Sequence, residues 1–157
     1  MDKPLIPPAK YLVYAAFLVS LFVSCSKQEE AVSSYSTMEL EILQLVNQYR
    51  ITQDLPTLSM HAVLFNQALK HTEYMISQDK LSHDNSNDRF KQISTELGSK
   101  AFGENVARGY RTAHEVVNAW LGSEGHKANI EGGFSRTGIS AMRNEQGVYY
   151  YTQIFTD

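Results

Sequence analysis

Apolar residues recur at helical spacing through most of residues 37–121 and then alternate near the C-terminus. In "TMELEILQLVNQYR" (37–50), Met38, Ile42, Leu45, Val46 and Tyr49 share one face, with acids near the start, which predicts a helix. A second helix is predicted over about 60–78, with Ser59 as its N-cap and Leu64, Ala68, His71 and Met75 on its apolar stripe. His71 reads there as a core histidine and His61, at the start of the same helix, as solvated. The turn-rich "KLSHDNSND" (80–88) leads to a short helix, "DRFKQISTEL" (88–97), stopped by Gly98. The glycine-punctuated "KAFGENVARGY" (100–110) has room for a strand in its middle.

"TAHEVVNAWL" (112–121) opens with Thr112 and Glu115 in capping-box spacing, and Val116, Val117, Trp120 and Leu121 form its apolar face. "RTGISAMR" (136–143), a turn at 144–147 and "VYYYTQIF" (148–155) read as a hairpin. Its alternation sends Tyr149 and Tyr151 to one face and Tyr150 to the other. Helices followed by strands, with little βα alternation and no internal repeat, predict one α+β domain over 37–157 with a mainly antiparallel sheet. Such a domain buries roughly two-thirds of its unfolded surface, enough to stand without disulfides.

The N-terminus breaks this pattern. Lys3 and Lys10 precede the uncharged apolar run "YLVYAAFLVSLFVS" (11–24), and the chain's one Cys, Cys25, follows at once. This order matches a lipoprotein signal peptide over 1–24 and a lipidated Cys25, although Phe22 is untypical three residues before the Cys. Residues 25–36 then read as the acylated Cys and a flexible tether, so the membrane is an expected partner through acyl chains. "KQEE" (27–30) resembles the signals that take some Gram-negative lipoproteins to the surface, which predicts an outer-membrane or cell-surface envelope location. Loss of 1–24 removes Asp2, Lys3 and Lys10 and leaves net charge −4. That mildly acidic balance, without a basic run, argues against nucleic acid as a partner. A monomeric domain is expected.

The candidate chemistry is sparse. "HEVVN" (114–118) starts like a zinc-protease helix, but the second His required at i+4 is Asn118. No G-x-S-x-G elbow or phosphate-binding Gly-rich loop is present. Three places put ligand-type side chains among small or polar neighbours: Ser82-His83, Gly103-Glu104-Asn105 and Gly125-His126. Two His and one Glu could hold zinc or another divalent ion with a position left open.

The segments "LVNQYR", "LKHTEYMISQDKLSH", "GENVARG", "VVNAWLGSEGHKANI" and "GVYYYTQIF" resemble, in order, the CAP superfamily of cysteine-rich secretory, antigen five and pathogenesis-related domains, in its bacterial SCP-like branch. The resemblance covers nearly all of 37–157. It implies a three-layer α-β-α sandwich and a cleft lined by His and Glu. Carried over by position, His83 matches the first family His, Glu104 the Glu of "GEN", and His126 the Gly-His of the bacterial branch. The second family Glu falls at Ser123, which leaves Glu124 one place out of step; Tyr150 takes the place of the family's strand His. Glu124, Tyr150, Ser82 and Asn105 are therefore further cleft candidates. Gly122 and Gly125 are expected to turn the chain so that His126, in one helical turn over 126–130, faces His83 and Glu104.

The resemblance, taken with the N-terminal lipoprotein pattern, leads foremost to an expected non-catalytic, membrane-anchored extracytoplasmic binding module for a lipid, glycan or protein ligand. No catalytic residue is assigned. A metal-dependent hydrolase with Glu104 as ligand or general base is the second expectation, and an envelope-structural protein with a vestigial cleft the third.

Overall fold

The structure, a computed structural model, describes residues 35–157. The expected signal peptide and Cys25 lie outside the described residues, as does the tether apart from its last two positions. Those two belong to the fold. Tyr35 packs edge-on against Phe65 at 4.8 Å, and Ser36 caps the first helix in a reciprocal box with Glu39.

The described residues form five helices and four strands: α1 (Thr37–Thr52), β1 (Ser59–Met60), α2 (Ala62–Ser77), α3 (Ser86–Leu97), β2 (Phe102–Arg108), α4 (Ala113–Leu121), α5 (Glu124–Ile130), β3 (Arg136–Arg143) and β4 (Tyr149–Thr156). The strands form one sheet in the order β1-β3-β4-β2. Both long pairings are antiparallel, and only the two-residue β1 runs parallel to its neighbour. The β3–β4 hairpin turns where Asn144 pairs with Val148 and Gly147 takes φ +76°.

Strand alternation sorts the sheet's two faces. On one, Ile139, Tyr151 and Phe155 meet Ile42 and Val46 of α1, Val116 and Trp120 of α4, and Ile130 of α5. On the other, Ile154 packs with Leu64, Ala68 and Ile93 of α2 and α3, and Tyr150 with Met75 and Val106. The outcome is the three-layer α-β-α sandwich with a mainly antiparallel sheet.

Two residues set how closely the layers approach. A Cβ at Gly138 of β3 would run into the α2 backbone at Leu64 and Phe65, so glycine there lets the helix lie directly on the sheet. Arg50, fully buried in the last turn of α1, donates to the carbonyls of Pro56, Ile130, Gly132 and Phe134. Its guanidinium thereby ties the end of α5 and the following loop to α1, although burial lowers its pKa.

Three local expectations change. Ser59 lies in β1, and it is His61 that caps α2, its Nδ1 accepting from the Val63 N–H at 3.3 Å. The helix expected at 88 starts earlier, at Ser86, after Asn85 in the left-handed region. Between α4 and α5 the chain turns at Ser123, which is extended; Gly122 is helical, and neither Gly122 nor Gly125 has positive φ. The conformational freedom of glycine is therefore not what makes this turn, and α5 spans seven residues rather than one turn.

Substituting two of these glycines separates close approach from a free surface position. Gly138→Ala should cost about 3 kcal/mol, the upper end for overpacking, because backbone rather than a side chain must yield. Gly125→Ala, with open space around the new methyl, should be neutral or gain about 0.5–1 kcal/mol from helix propensity. Urea unfolding midpoints measure both.

Candidate functional site

Glu104 is the centre of the polar group. It lies in the middle of β2 with its side chain toward α2 and α3, and only 7% of the residue is exposed. Arg89 of α3 meets it as a fork, Nε to Oε2 at 2.8 Å and Nη2 to Oε1 at 2.8 Å. His83 Nδ1 lies 2.8 Å from Oε1, and His71 Nε2 lies 3.9 Å from the same oxygen. Burial alone would raise the Glu104 pKa. The His83 hydrogen bond and the Arg89 charge, helped by His71, outweigh it and hold the carboxyl below its usual range.

This pairing orients His83. A carboxylate only accepts, so the neutral ring carries its hydrogen on Nδ1 and its lone pair on Nε2. The His83 side chain is 51% exposed, so the rim of the site carries an imidazole whose inner edge is fixed from below.

The motif Gly103-Glu104-Asn105 also positions α5. Asn105 points to the opposite face from Glu104 and donates through Nδ2 to the His126 carbonyl at 3.0 Å. Asn129 of α5 donates to the Glu104 carbonyl at 3.1 Å and to Asn105 Oδ1 at 2.8 Å. A side chain at Gly103 would collide with Asn129, so the glycine makes room for this latch. His83 therefore reaches β2 from the α2–α3 side and His126 from the α5 side, with the edge strand between them. The two are near enough that, after burial, charge on His83 is the second cause lowering the His126 pKa.

The other sequence candidates take supporting or outer places. Ser82 accepts from His71 through its backbone carbonyl. Glu124 stands exposed in the first turn of α5, outside the Glu104 network. Tyr150 has no exposed surface with which to line a cleft; its hydroxyl donates to Asp79 at the base of the His83 loop, at 2.7 Å. Among the described residues, no three His, Cys, Asp or Glu side chains converge as a metal-holding group. Two surface hollows lie elsewhere, one of about 460 Å³ on α3 beside Lys91 and Thr95, the other of about 500 Å³ between α1 and His114.

Sequence reading missed Arg89 and took His71 for core alone. Arg89 sits in a polar helix whose pattern gives no sign that one of its cations is buried. The available signal was chemical: a Glu inside a strand flanked by Phe102 and Val106 requires a cationic partner.

The family model described as the cysteine-rich secretory protein family, CAP, matches residues 43–155. The chain belongs to the CAP family. It is 33% identical to the uncharacterized protein YkwD of Bacillus subtilis (strain 168) over 105 residues, which are 64% of this chain and 40% of that one. It is 32% identical to the uncharacterized membrane protein YlbC of the same strain over 124 residues, 76% of this chain and 34% of that one. The match thus spans well under half the length of either relative. Among solved structures, an extracellular protein containing a SCP domain from Bacillus anthracis str. Ames matches with TM-score 0.66 and 27% identity, over 75% of this chain and 39% of that one. An outer surface protein from Borrelia burgdorferi matches in fold, with TM-score 0.70 and 17% identity, over 78% of this chain and 95% of that one. The chain carries a CAP domain of the bacterial extracellular type.

In this CAP domain Arg89 neutralises a carboxylate that could not otherwise be buried. Arg89→Met should cost about 3–5 kcal/mol by leaving the buried Glu104 charge without its cation, and adding Glu104→Gln should restore part of that. The depressed Glu104 pKa contributes stability above the unfolded value, about 4.3, which is lost as pH falls through the lower folded value. Acid unfolding followed by circular dichroism should therefore begin at higher pH in Arg89→Met than in the native protein.

Proposed function

We propose that this is a membrane-anchored, extracytoplasmic CAP-domain binding module. Its ligand-facing groups are the His83 Nε2 atom and the His126 imidazole. The observation that carries this reading is the engagement of both Glu104 oxygens by Arg89 and His83. A carboxylate so held, with its pKa lowered, is a weak general base, and its role is to orient His83. Binding is therefore preferred to hydrolysis.

The donor set fits a divalent metal in one form. His83 with its Nδ1 hydrogen on a carboxylate and its Nε2 lone pair outward has the carboxylate–histidine arrangement that orients metal ligands. His126, its pKa lowered, would supply the second imidazole in its neutral form. Glu104 then supports from behind, and water or a lipid, glycan or protein ligand completes the coordination. The extracellular and outer-surface names of the similar structures support an envelope location, and the order of residues 1–25 supports an outer-membrane or surface lipoprotein.

Zinc binding to the purified protein, read by calorimetry, tests the site. The His83→Ala/His126→Ala double variant should lose binding, and Glu104→Gln should weaken it by about 10–100-fold. Affinity should fall as pH drops far enough to protonate His126, which burial holds below its usual 6.5. Equal binding by native protein and double variant would refute the metal reading. Separately, Cys25→Ala should move the protein from the membrane to the soluble fraction; unchanged fractionation would refute the acyl anchor.

A further inference from the structure

His83 is held by the backbone on both sides of it. His71 Nε2 lies 2.8 Å from the Ser82 carbonyl, and Arg89 Nη1 donates to the Asp84 carbonyl at 2.6 Å. Both donors are buried, whereas the histidine between their acceptors is half-exposed. At the start of the loop, Asp79, at φ +45°, receives the Tyr150 hydroxyl and the Arg108 guanidinium. Each fixed point of this loop is thus supplied by a group outside it.

Of these groups, His71 also lies 3.9 Å from Glu104 Oε1, beside the carboxylate that holds His83. It is 2% exposed, on the inner face of α2, so it does not reach a ligand. A carbonyl only accepts, so the His71 nitrogen facing Ser82 carries hydrogen. This fixes the tautomer: Nε2 is the donor, and Nδ1 is a buried acceptor without a partner among the described residues. A residue chosen only to fill the core would not carry an unpartnered nitrogen there, since an unpaired buried polar atom costs free energy. The Nε2–H bond to Ser82 offsets that cost.

We propose that His71 is the positioning residue of the site. Through the Ser82 carbonyl, its Nε2–H sets the backbone of the neighbouring His83, so that Nδ1 of that ring meets Glu104 and Nε2 faces outward. The proposal rests on the reading that His83 presents the binding group. A filler role and a positioning role differ in what can replace the side chain. Leucine fills the space without a donor. Glutamine carries an N–H the same number of bonds from the backbone as His71 Nε2, and asparagine carries one a bond short.

The test reads tautomers in the full-length protein by imidazole ¹⁵N NMR at about pH 8, where neutral rings dominate. In the native protein His71 should be protonated on Nε2 and His83 on Nδ1, each as a single tautomer. His71→Leu should shift the two His83 nitrogens toward the averaged values of a free imidazole. His71→Gln should restore the native pattern, and His71→Asn should not. A folded His71→Leu or His71→Asn protein with native His83 shifts would overturn the proposal. So would a native protein whose His83 already averages, a result that needs no variant to fold. Zinc titration of the native protein separates the two readings: lack of zinc binding with the tautomer pattern intact removes the metal reading and leaves the positioning role standing.

Discussion

A carboxylate buried in the middle of an edge strand is the constraint around which this domain is arranged. An uncompensated charge at Glu104 would cost several kcal/mol, more than half the net stability of many domains. Arg89 removes that cost with a two-pronged ion pair, and doing so fixes α3 against β2. The same guanidinium uses its remaining amine on the Asp84 carbonyl, which draws in the loop before α3. One ion pair therefore decides the placement of a helix, a loop and the histidine that loop carries.

The opposite side of β2 solves a different problem by the same means. Helix α5 is short and has a small apolar contribution, with Ile130 its only buried residue. Polar contacts place it instead. Asn105 and Asn129 tie it to the strand, while Arg50 gathers the carbonyls at its end. Apart from the Asn129–Asn105 bond, these side chains are directed at backbone, whose position is set by the fold. The His83 ring and the α5 backbone at His126 are thus held by independent supports on either side of one strand.

The periodic parts of this structure were legible in the sequence because burial follows period. The capping box of Thr112 and Glu115, the apolar face of α4 and the β3–β4 hairpin came directly from spacing, and the two sides of the Tyr149-Tyr150-Tyr151 run from alternation. Glu104 and His83 came from small neighbours and from family likeness, and the structure brings them into contact. Three things were not legible, for physical reasons. Arg89 and Arg50 occupy helical positions where a surface cation and a buried one look alike, since periodicity reports a face and not a partner. His71 was placed on the correct face, but a stripe does not reveal a bond to a carbonyl eleven residues away. The turn into α5 suggested its two glycines, whereas the extended residue is Ser123, whose conformation any side chain can adopt.

The outer carbonyls of β2 have a consequence for how copies of the domain meet. Strand edges invite other strands, and an open edge is a route to fibrous aggregation. Here the outward carbonyls of Glu104 and Val106 are already taken, by the Asn129 amide and the Trp120 indole. At the opposite end of the sheet β1 is two residues long, too short to template a partner. The contacts that hold α4 and α5 in place thus also occupy part of the edge to which a strand from another copy would add.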